Sequence, residues 1–353
     1  MGGTMANRIV GLDIGREVIR AIEVENADKV KPMILRFAQV AIPEGAVRSG
    51  EVREVNTVAA AVKRLWTEGG FKTKKVVLGI GNQRVIARDL AVPKAGYQQI
   101  RESLPFQVQD MLPVPVADAL LDFYAISESE SEQGPMINGL LVAAIKESVL
   151  ANVTAVRQAG LLPVHVDLIP FALSRVLTRG NFETGTVVLI DVGASTTNVV
   201  VTTSGVPQFV RMIPVGGDDL TKALMSRMEL SPQHAEAAKR TRGLTSAPVS
   251  SEAERKVAEI IHELTSDLLN SLRNTVTYYS NTHPADTIRA IVLSGGGAQM
   301  TGFAQALGDS TRLPVVFADP FAAVESSKSL AAKTPEEREG LTVALGLALG
   351  HAA

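Results

Sequence analysis

The sequence has no cysteine, no long apolar run and almost no net charge. The absence of cysteine among 353 residues excludes disulfides, thiolate zinc sites and a cysteine nucleophile. No stretch of about 18 to 20 uninterrupted apolar residues occurs, so no segment of this sequence is long enough to span a bilayer as a helix. A formal net charge of −2 provides no basic field, and lysine and arginine form no cluster, so we expect no nucleic-acid partner.

Common catalytic motifs are missing as well. The sequence contains neither the phosphate-binding pattern Gly-x-x-x-x-Gly-Lys-Ser/Thr nor the nucleophile pattern Gly-x-Ser-x-Gly. The five histidines are scattered without ligand spacing, which argues against a metal site built from them. They are His165, His234, His262, His283 and His351.

The residues that are present indicate a globular α/β protein. Hydrophobic residues make up 46% and charged residues 20% of the chain, a balance that supports a folded core. The length predicts two to four compact units. Apolar strands at 9–12, 18–24 and 75–80, with a helical pattern at 55–68 between them, predict a sheet with a helical crossover.

A segment of different character interrupts this pattern at 88–162, and we interpret it as a small inserted α+β unit. Prolines 113 and 115 are expected to end its first helix. Its predicted elements are a helix at 97–112, strands at 119–126 and 137–145, a polar hairpin tip at 127–134 and a helix at 147–159.

One motif is used twice. Residues 11–15 and 189–193 each form an apolar strand that ends at an aspartate, Asp13 or Asp191, followed two residues later by a glycine. The glycine permits a tight turn whose backbone N–H groups face an anion. The aspartate can hold water on a magnesium ion that bridges phosphates. One such turn is common in proteins, but two in matching strand contexts predict a pair of hairpins that clamp one polyphosphate.

Three further motifs follow in an order that suits the same ligand. Residues 214–219 begin a predicted helix, and helix N-termini favour anions. Residues 236–240 place an acid and two bases on adjacent helical turns, a pattern equally typical of a surface salt bridge. Residues 293–298 are a strand followed by three glycines, which lets the backbone lie against a nucleoside and is otherwise typical of a flexible loop. Each motif alone has an ordinary explanation.

Together and in this order, the five motifs resemble those of the superfamily of actin, the sugar kinases and the heat-shock chaperone ATPases. Segments 165–173 and 343–350 resemble its two connecting segments, so the resemblance covers the whole chain. Within the superfamily the sequence is most similar to the PilM family of type IV pilus assembly proteins. The bacterial division protein FtsA is next, because both families carry an inserted domain where 88–162 lies. FtsA ends in a membrane-binding amphipathic helix, and we expect none after Gly350.

The resemblance implies an α/β fold of two duplicated actin-like (ribonuclease H-like) lobes with a small inserted α+β domain. The first lobe is expected to comprise residues 1–87, 163–185 and a C-terminal helix at 337–353. The inserted domain would be 88–162, the core of the second lobe 186–217 and 286–336, and a helical subdomain 218–285.

The resemblance also implies a role for each motif residue. Asp13 and Asp191 would be the catalytic pair and would hold Mg²⁺ through its bound waters. Glu236 and Lys239 are assigned to the ribose and adenine edge, and Arg240 to stacking on the base. The residues implied to bind ATP or ADP are Asp13, Gly15, Arg16, Gly193, Ser195, Thr196, Gly216, Gly217, Glu236, Lys239, Arg240, Gly295, Gly296 and Gly297.

Two departures from the superfamily pattern bear on activity. The first hairpin carries Arg16 and Glu17 where relatives commonly have small hydroxyl residues, so a charged contact from Arg16 to phosphate is expected instead. Ile169 stands where many relatives have a glutamate that positions the attacking water. The sequence therefore predicts at most a slow ATPase.

The partner implied by the resemblance is the N-terminal cytoplasmic segment of PilN, an inner-membrane pilus protein. It would bind in a groove between the first lobe and the inserted domain. The protein would then be a cytoplasmic ATP-binding adaptor, held at the inner membrane by this partner without inserting directly, with weak self-association left open. The alternatives are an FtsA-like cell-division filament protein and another actin-superfamily ATPase or small-molecule kinase. The sequence offers no catalytic base for a kinase beyond the two aspartates.

Overall fold

The computed structural model describes residues 7–29, 31–132, 134–245, 248–317, 319–322, 324–326 and 340–350. The strands are β1 (Arg8–Ile14), β2 (Val18–Glu25), β3 (Met33–Ala41), β4 (Val47–Arg48), β5 (Glu51–Val52), β6 (Lys75–Ile80), β7 (Val85–Pro93), β8 (Ala119–Ser131), β9 (Gly134–Ile145), β10 (Leu162–Leu168), β11 (Thr186–Val192), β12 (Thr197–Thr203), β13 (Val206–Ile213), β14 (Ile288–Ser294), β15 (Val315–Phe317) and β16 (Glu325–Ser326). The helices are α1 (Val55–Gly69), α2 (Tyr97–Gln107), α3 (Lys146–Gln158), α4 (Ile169–Leu177), α5 (Gly217–Met228), α6 (Pro232–Arg242), α7 (Glu252–Thr282), α8 (Phe303–Thr311) and α9 (Thr342–Leu349).

Two sheets repeat one topology. The first has the order β10-β6-β1-β2-β3-β16, and the second has the order β13-β12-β11-β14-β15. In each, an antiparallel three-strand meander is joined through its first strand to a parallel strand, β6 in one sheet and β14 in the other. The hairpins at Asp13 and Asp191 therefore occupy equivalent places, which confirms the predicted duplication.

The strand sequences explain the layering. Along β1, Val10 and Leu12 join the core under α1, whereas Ile9 points to the opposite face and joins the core formed with α4 and α9. Such alternation is the period of a strand covered on both faces. The second core also contains residues of β11, such as Leu189, so helices α4 and α9 lie where the two lobes meet.

Close packing fixes α9 against the first lobe. A Cβ on Gly11 would lie 1.9 Å from the carbonyl oxygen of Ala344, and one on Gly346 would lie 2.1 Å from that of Ala172. Only hydrogen atoms fit at these two crossings, so β1, α9 and α4 touch through their backbones. The sequence predicted a C-terminal helix at 337–353; the helix is Thr342–Leu349, and residues 337–339 and 351–353 lie outside the described part of the chain.

The inserted unit is an antiparallel sheet with the order β7-β9-β8, covered by α2. The helix predicted at 97–112 ends at Gln107, before the two prolines, and continues only as a short 3-10 turn. The predicted polar tip at 127–134 is mostly strand, because Glu128 and Glu130 pair with Ile137 and Pro135 across the hairpin. Helix α3, which the sequence-based division placed in this unit, packs on α1 through Val156 and contributes to the first-lobe core.

Three helices form the outer part of the second lobe. The helical pattern predicted to start at Asp218 is broken into α5 and α6, because Glu229 adopts a left-handed conformation and Ser231 caps the next helix, with Pro232 in its first turn. Helix α7 then runs for 31 residues from its cap at Ser251. Across the described ranges, no helix combines the length and apolarity needed to cross a membrane.

Candidate functional site

Asp13 and Asp191 stand near the ends of equivalent strands, one in each hairpin. Each is near enough to the other, and to Arg20, for their charges to interact. Arg20 lies opposite Asp13 in the register of the first hairpin. The two duplicated hairpins thus bring two carboxylates and one guanidinium to the boundary between the lobes.

The surroundings of the two aspartates favour their protonated forms. Burial raises the pKa of Asp191 from 3.8 to about 6, while the neighbouring side chains of Ser294 and Asn198 oppose the rise and the charge of Asp13 adds to it. Burial also raises the pKa of Asp13, and Arg20 opposes that rise. Two withdrawn carboxylates with raised pKa values are a pair that a cation would stabilise.

The two aspartates fit a magnesium ion that is also bound by phosphates better than a magnesium ion held by the protein alone. Within the described residues, no group of three or more His, Asp or Glu side chains could enclose a metal. Mg²⁺ commonly keeps several waters and takes only one or two carboxylates together with substrate phosphates. Asp13 and Asp191 therefore fit the predicted ion only in company with a phosphorylated ligand.

The turn after β11 and the start of α5 are built to touch. The backbone N–H groups of Gly217 and Asp218 donate to the carbonyl oxygens of Gly193 and Ala194, at 2.9 Å each. A Cβ on Gly216 would lie 2.4 Å from the Ala194 oxygen. The two glycine-containing loops therefore form one continuous wall of the cleft, which a side chain at position 216 would force apart.

Two hydroxyl residues and one guanidinium complete this wall. Ser195 and Thr196 lie in the β11–β12 turn and line the cleft, and the Ser195 Oγ is buried without a hydrogen-bond partner among the described residues. Arg16, from the first hairpin, forms an ion pair with Asp218 on the second lobe. Gly15 holds the turn that carries Arg16, since its N–H donates to the Val18 carbonyl at 3.2 Å.

The acid and bases of α6 form a network with α5. Lys239 Nζ contacts Glu236 Oε2 at 2.5 Å, donates to Thr221 Oγ1 at 2.9 Å and donates to the Gly217 carbonyl at 3.2 Å. Arg240 pairs with the other oxygen of Glu236 at 2.8 Å. Partial burial acts to raise the pKa of Glu236, but the hydrogen bonds from Lys239 and Arg240 outweigh it and bring the pKa to about 2. Glu236 is therefore ionised and fixed beside the start of α5.

The loop of three glycines after β14 lies against the end of β11 and the start of α5. Gly295 has φ = 90°, and a Cβ there would lie 2.4 Å from the Val192 carbonyl oxygen. Gly297 packs against Val192 and lies 3.4 Å from the Cβ position of Gly217, whereas Gly296 faces open space. The predicted residues of the second lobe are thus linked by direct contacts, in which Gly217 meets Gly193, Lys239 and Gly297.

Some residues of the cleft were missed by the sequence analysis. The cleft includes a cavity of about 500 Å³ whose walls carry Arg48, Gln83 and Lys222 in addition to the predicted Arg16, Ser195 and Thr196. Arg20 was also missed, although the register of a tight hairpin places it opposite Asp13. At position 169, where relatives often carry a glutamate, the isoleucine side chain packs against Gly79 and Gly81 at the end of β6.

A second cavity separates the first lobe from the inserted unit. It has a volume of about 890 Å³ and is lined mainly by apolar groups, among them Val55 at the start of α1, Leu150 on α3 and Val114 from the inserted unit. Charged side chains line it as well. They are Arg84, Asp118, Lys146 and Glu147. Leu150 is 49% exposed, which is unusual for a leucine on a packed helix.

Solved structures of known proteins share this fold. A chain of a "PilM-PilN type IV pilus biogenesis complex" superposes with a TM-score of 0.84 at 27% identity, covering 98% of both chains. The ethanolamine utilization protein EutJ from Carboxydothermus hydrogenoformans gives a TM-score of 0.56 at 16% identity over 97% of this chain and 89% of its own. MreB5 of Spiroplasma citri bound to ADP gives 0.54 at 14% identity over 96% and 94%.

The sequence comparisons agree with the structural ones. The cell division protein FtsA of Bacillus subtilis is 22% identical over 354 residues, covering 88% of this chain and 78% of its own. The profile of the family described as "Type IV pilus assembly protein PilM" matches residues 11–352. The duplicated lobes and paired aspartate hairpins define an actin-like protein of the ATPase fold. Within that class, the chain belongs to the PilM family of type IV pilus assembly proteins.

Proposed function

We propose that this chain is an ATP-binding adaptor of the type IV pilus assembly machinery at the inner membrane. It holds ATP or ADP with Mg²⁺ between its lobes and binds the N-terminal cytoplasmic segment of PilN in the 890 Å³ groove between the first lobe and the inserted unit. The observation that carries the proposal is this apolar groove in a chain that superposes over 98% of its length on a protein solved as a PilM-PilN complex.

The nucleotide part of the proposal follows from the cleft. Ser195 and Thr196 line the cavity of the cleft, and the Ser195 hydroxyl, buried without a partner among the described residues, is suited to a phosphate oxygen. Asp13 and Asp191 would hold Mg²⁺, which neutralises phosphate charge when bound. Glu236 and Lys239, fixed by their mutual contact, would take the ribose side. Gly296, which has open space beside it, would lie along the nucleoside.

The partner part follows from the composition of the groove. Its apolar side chains suit an apolar anchor of an extended peptide, and its charged side chains suit the polar backbone and flanking groups. The groove shares no lining residue with the 500 Å³ cavity of the cleft. Peptide binding and nucleotide binding can therefore be perturbed separately.

A matched pair of leucine variants tests the groove. Leu150, which lines it, and Leu162, which lies at the start of β10 outside it, are 49% and 55% exposed. We expect Leu150→Glu to weaken binding of a fluorescent peptide, the cytoplasmic N-terminus of PilN from the same organism, by at least about tenfold, since an unpaired carboxylate is carried into an apolar contact. Leu162→Glu should bind the peptide like the wild type.

The same variants separate the two halves of the proposal. Calorimetry with ATP and Mg²⁺ should give equal affinities for the wild type and both variants, because neither leucine lies in the cleft. Equal peptide binding by Leu150→Glu and Leu162→Glu would remove the groove from the proposal. No heat of ATP binding by the folded wild-type protein would remove the nucleotide.

A further inference from the structure

Arg16 makes a contact between the lobes that its motif does not require. It follows Gly15 in the first hairpin, and its guanidinium crosses the cleft to Asp218 in the first turn of α5. The two side chains are 15% and 19% exposed. A pair this withdrawn from water is screened less by salt than an exposed pair.

Both partners sit on elements that form the walls of the cleft. The first turn of α5 is tied to the β11–β12 turn by the N–H group of Asp218, which donates to Ala194 at 2.9 Å. Arg16 lines the same cavity as Ser195 and Thr196. Its other acidic neighbour, Glu44, is 3.8 Å away and 86% exposed, so Asp218 is the better-shielded partner.

We propose that Arg16 and Asp218 form an electrostatic latch between the lobes, and that a nucleotide polyphosphate releases it by competing with Asp218 for the guanidinium. Phosphate and carboxylate oxygens bind the same fork of arginine donors. A phosphate that reaches the wall at Ser195 therefore finds Arg16 already paired with Asp218. When the phosphate displaces Asp218, that carboxylate stays at the N-terminus of α5, where the helix dipole stabilises its charge. The competition rests on the proposed nucleotide binding, whereas the latch does not.

A double-mutant cycle on ATP affinity distinguishes competition from simple charge repulsion. We expect D218N to bind Mg-ATP about tenfold more tightly than the wild type, because Arg16 is freed for the phosphates. In the R16A background, D218N should change the affinity by less than about twofold. Equal tightening in both backgrounds would mean that Asp218 merely repels the nucleotide. Weaker binding by D218N would mean that Asp218 positions Arg16 for the phosphate, and either result overturns the competition.

Hydrogen exchange on the nucleotide-free protein tests the latch itself. R16A, which changes only the first lobe, should speed exchange of the amides at 216–220 on the second lobe by about fivefold or more, since the start of α5 loses its tie across the cleft. The control is R227A, which breaks the exposed pair with Glu263 at the other end of α5 and should leave 216–220 unchanged. Unchanged exchange in R16A would overturn the latch, whether or not the protein binds ATP. If the protein does not bind ATP, the exchange experiment still tests the latch.

Discussion

Replacing Gly216 by alanine should separate the two loops that form the wall of the cleft. An added Cβ would lie 2.4 Å from the carbonyl oxygen of Ala194 and 2.5 Å from that of Gly193, and backbone atoms cannot move aside as a flexible side chain can. The two hydrogen bonds that join the loops contribute about 0.5 to 1.5 kcal/mol each, and admitting a methyl group into a packed contact costs about 1 to 3 kcal/mol. The variant should therefore lose about 2 to 6 kcal/mol of unfolding free energy, and its affinity for ATP should fall as well.

The control for this variant is Gly296→Ala. No atom lies within 4 Å of the added Cβ at that position, so its stability should stay within about 0.5 kcal/mol of the wild type. Both variants can be measured by urea unfolding followed by far-ultraviolet circular dichroism. The single tryptophan, Trp66, lies in α1, so its fluorescence reports the first lobe and shows whether the lobes unfold together. A Gly216→Ala midpoint equal to that of the wild type would refute the reasoning.

Three further predictions concern pH, turnover and packing. Because burial raises the pKa of Asp191 to about 6, Mg-ATP affinity measured by calorimetry should fall as pH drops from about 7.5 to 5. The pKa of Asp191 is 3.8 in its ordinary state and about 6 in the folded protein, so between pH 3.8 and about 6 the folded chain binds more protons than the unfolded chain, and stability falls as pH rises through this range. Asp191→Asn should therefore stabilise the nucleotide-free protein at pH 7 while abolishing magnesium-dependent binding. ATP turnover by the isolated protein should stay well below about 10 per second, since Ile169 offers no carboxylate, and a phosphate-release assay reaching that rate would contradict the adaptor role. Gly346→Val should lower the urea midpoint of Trp66 fluorescence, because its Cβ would meet the Ala172 oxygen at 2.1 Å, and an unchanged midpoint would show that α9 can shift.

Local sequence patterns were sufficient to predict the duplicated lobes. An apolar strand, a turn with aspartate and glycine, and a second strand are all read from neighbouring residues, and the two copies at Asp13 and Asp191 occupy equivalent strands. Boundaries were less well predicted where a tertiary or capping interaction decides them, as at Glu229, whose left-handed backbone separates α5 from α6.

The candidate site was predicted only where its residues belong to a motif. Arg20, Arg48 and Lys222 reach the cleft because the fold brings distant elements together, and no short sequence pattern marks them. The pairing of Arg16 with Asp218 likewise joins residues 202 positions apart. The assignment of individual residues to phosphate, ribose and base stays a prediction that the proposed binding experiments test.

The backbone contacts of α9 have a consequence for how the protein is made. Strand β1 and helix α4 emerge from the ribosome long before α9, yet the core that Ile9 and α4 share includes Leu345, Leu347 and Leu349 from that last helix. Until α9 is synthesised, the crossing at Gly11 has no partner and the apolar face around Ile9 is covered only in part, by α4. The nascent first lobe therefore exposes apolar surface that chaperones can bind for most of translation. A truncation within α9 would remove packing partners from β1, the strand that is translated first.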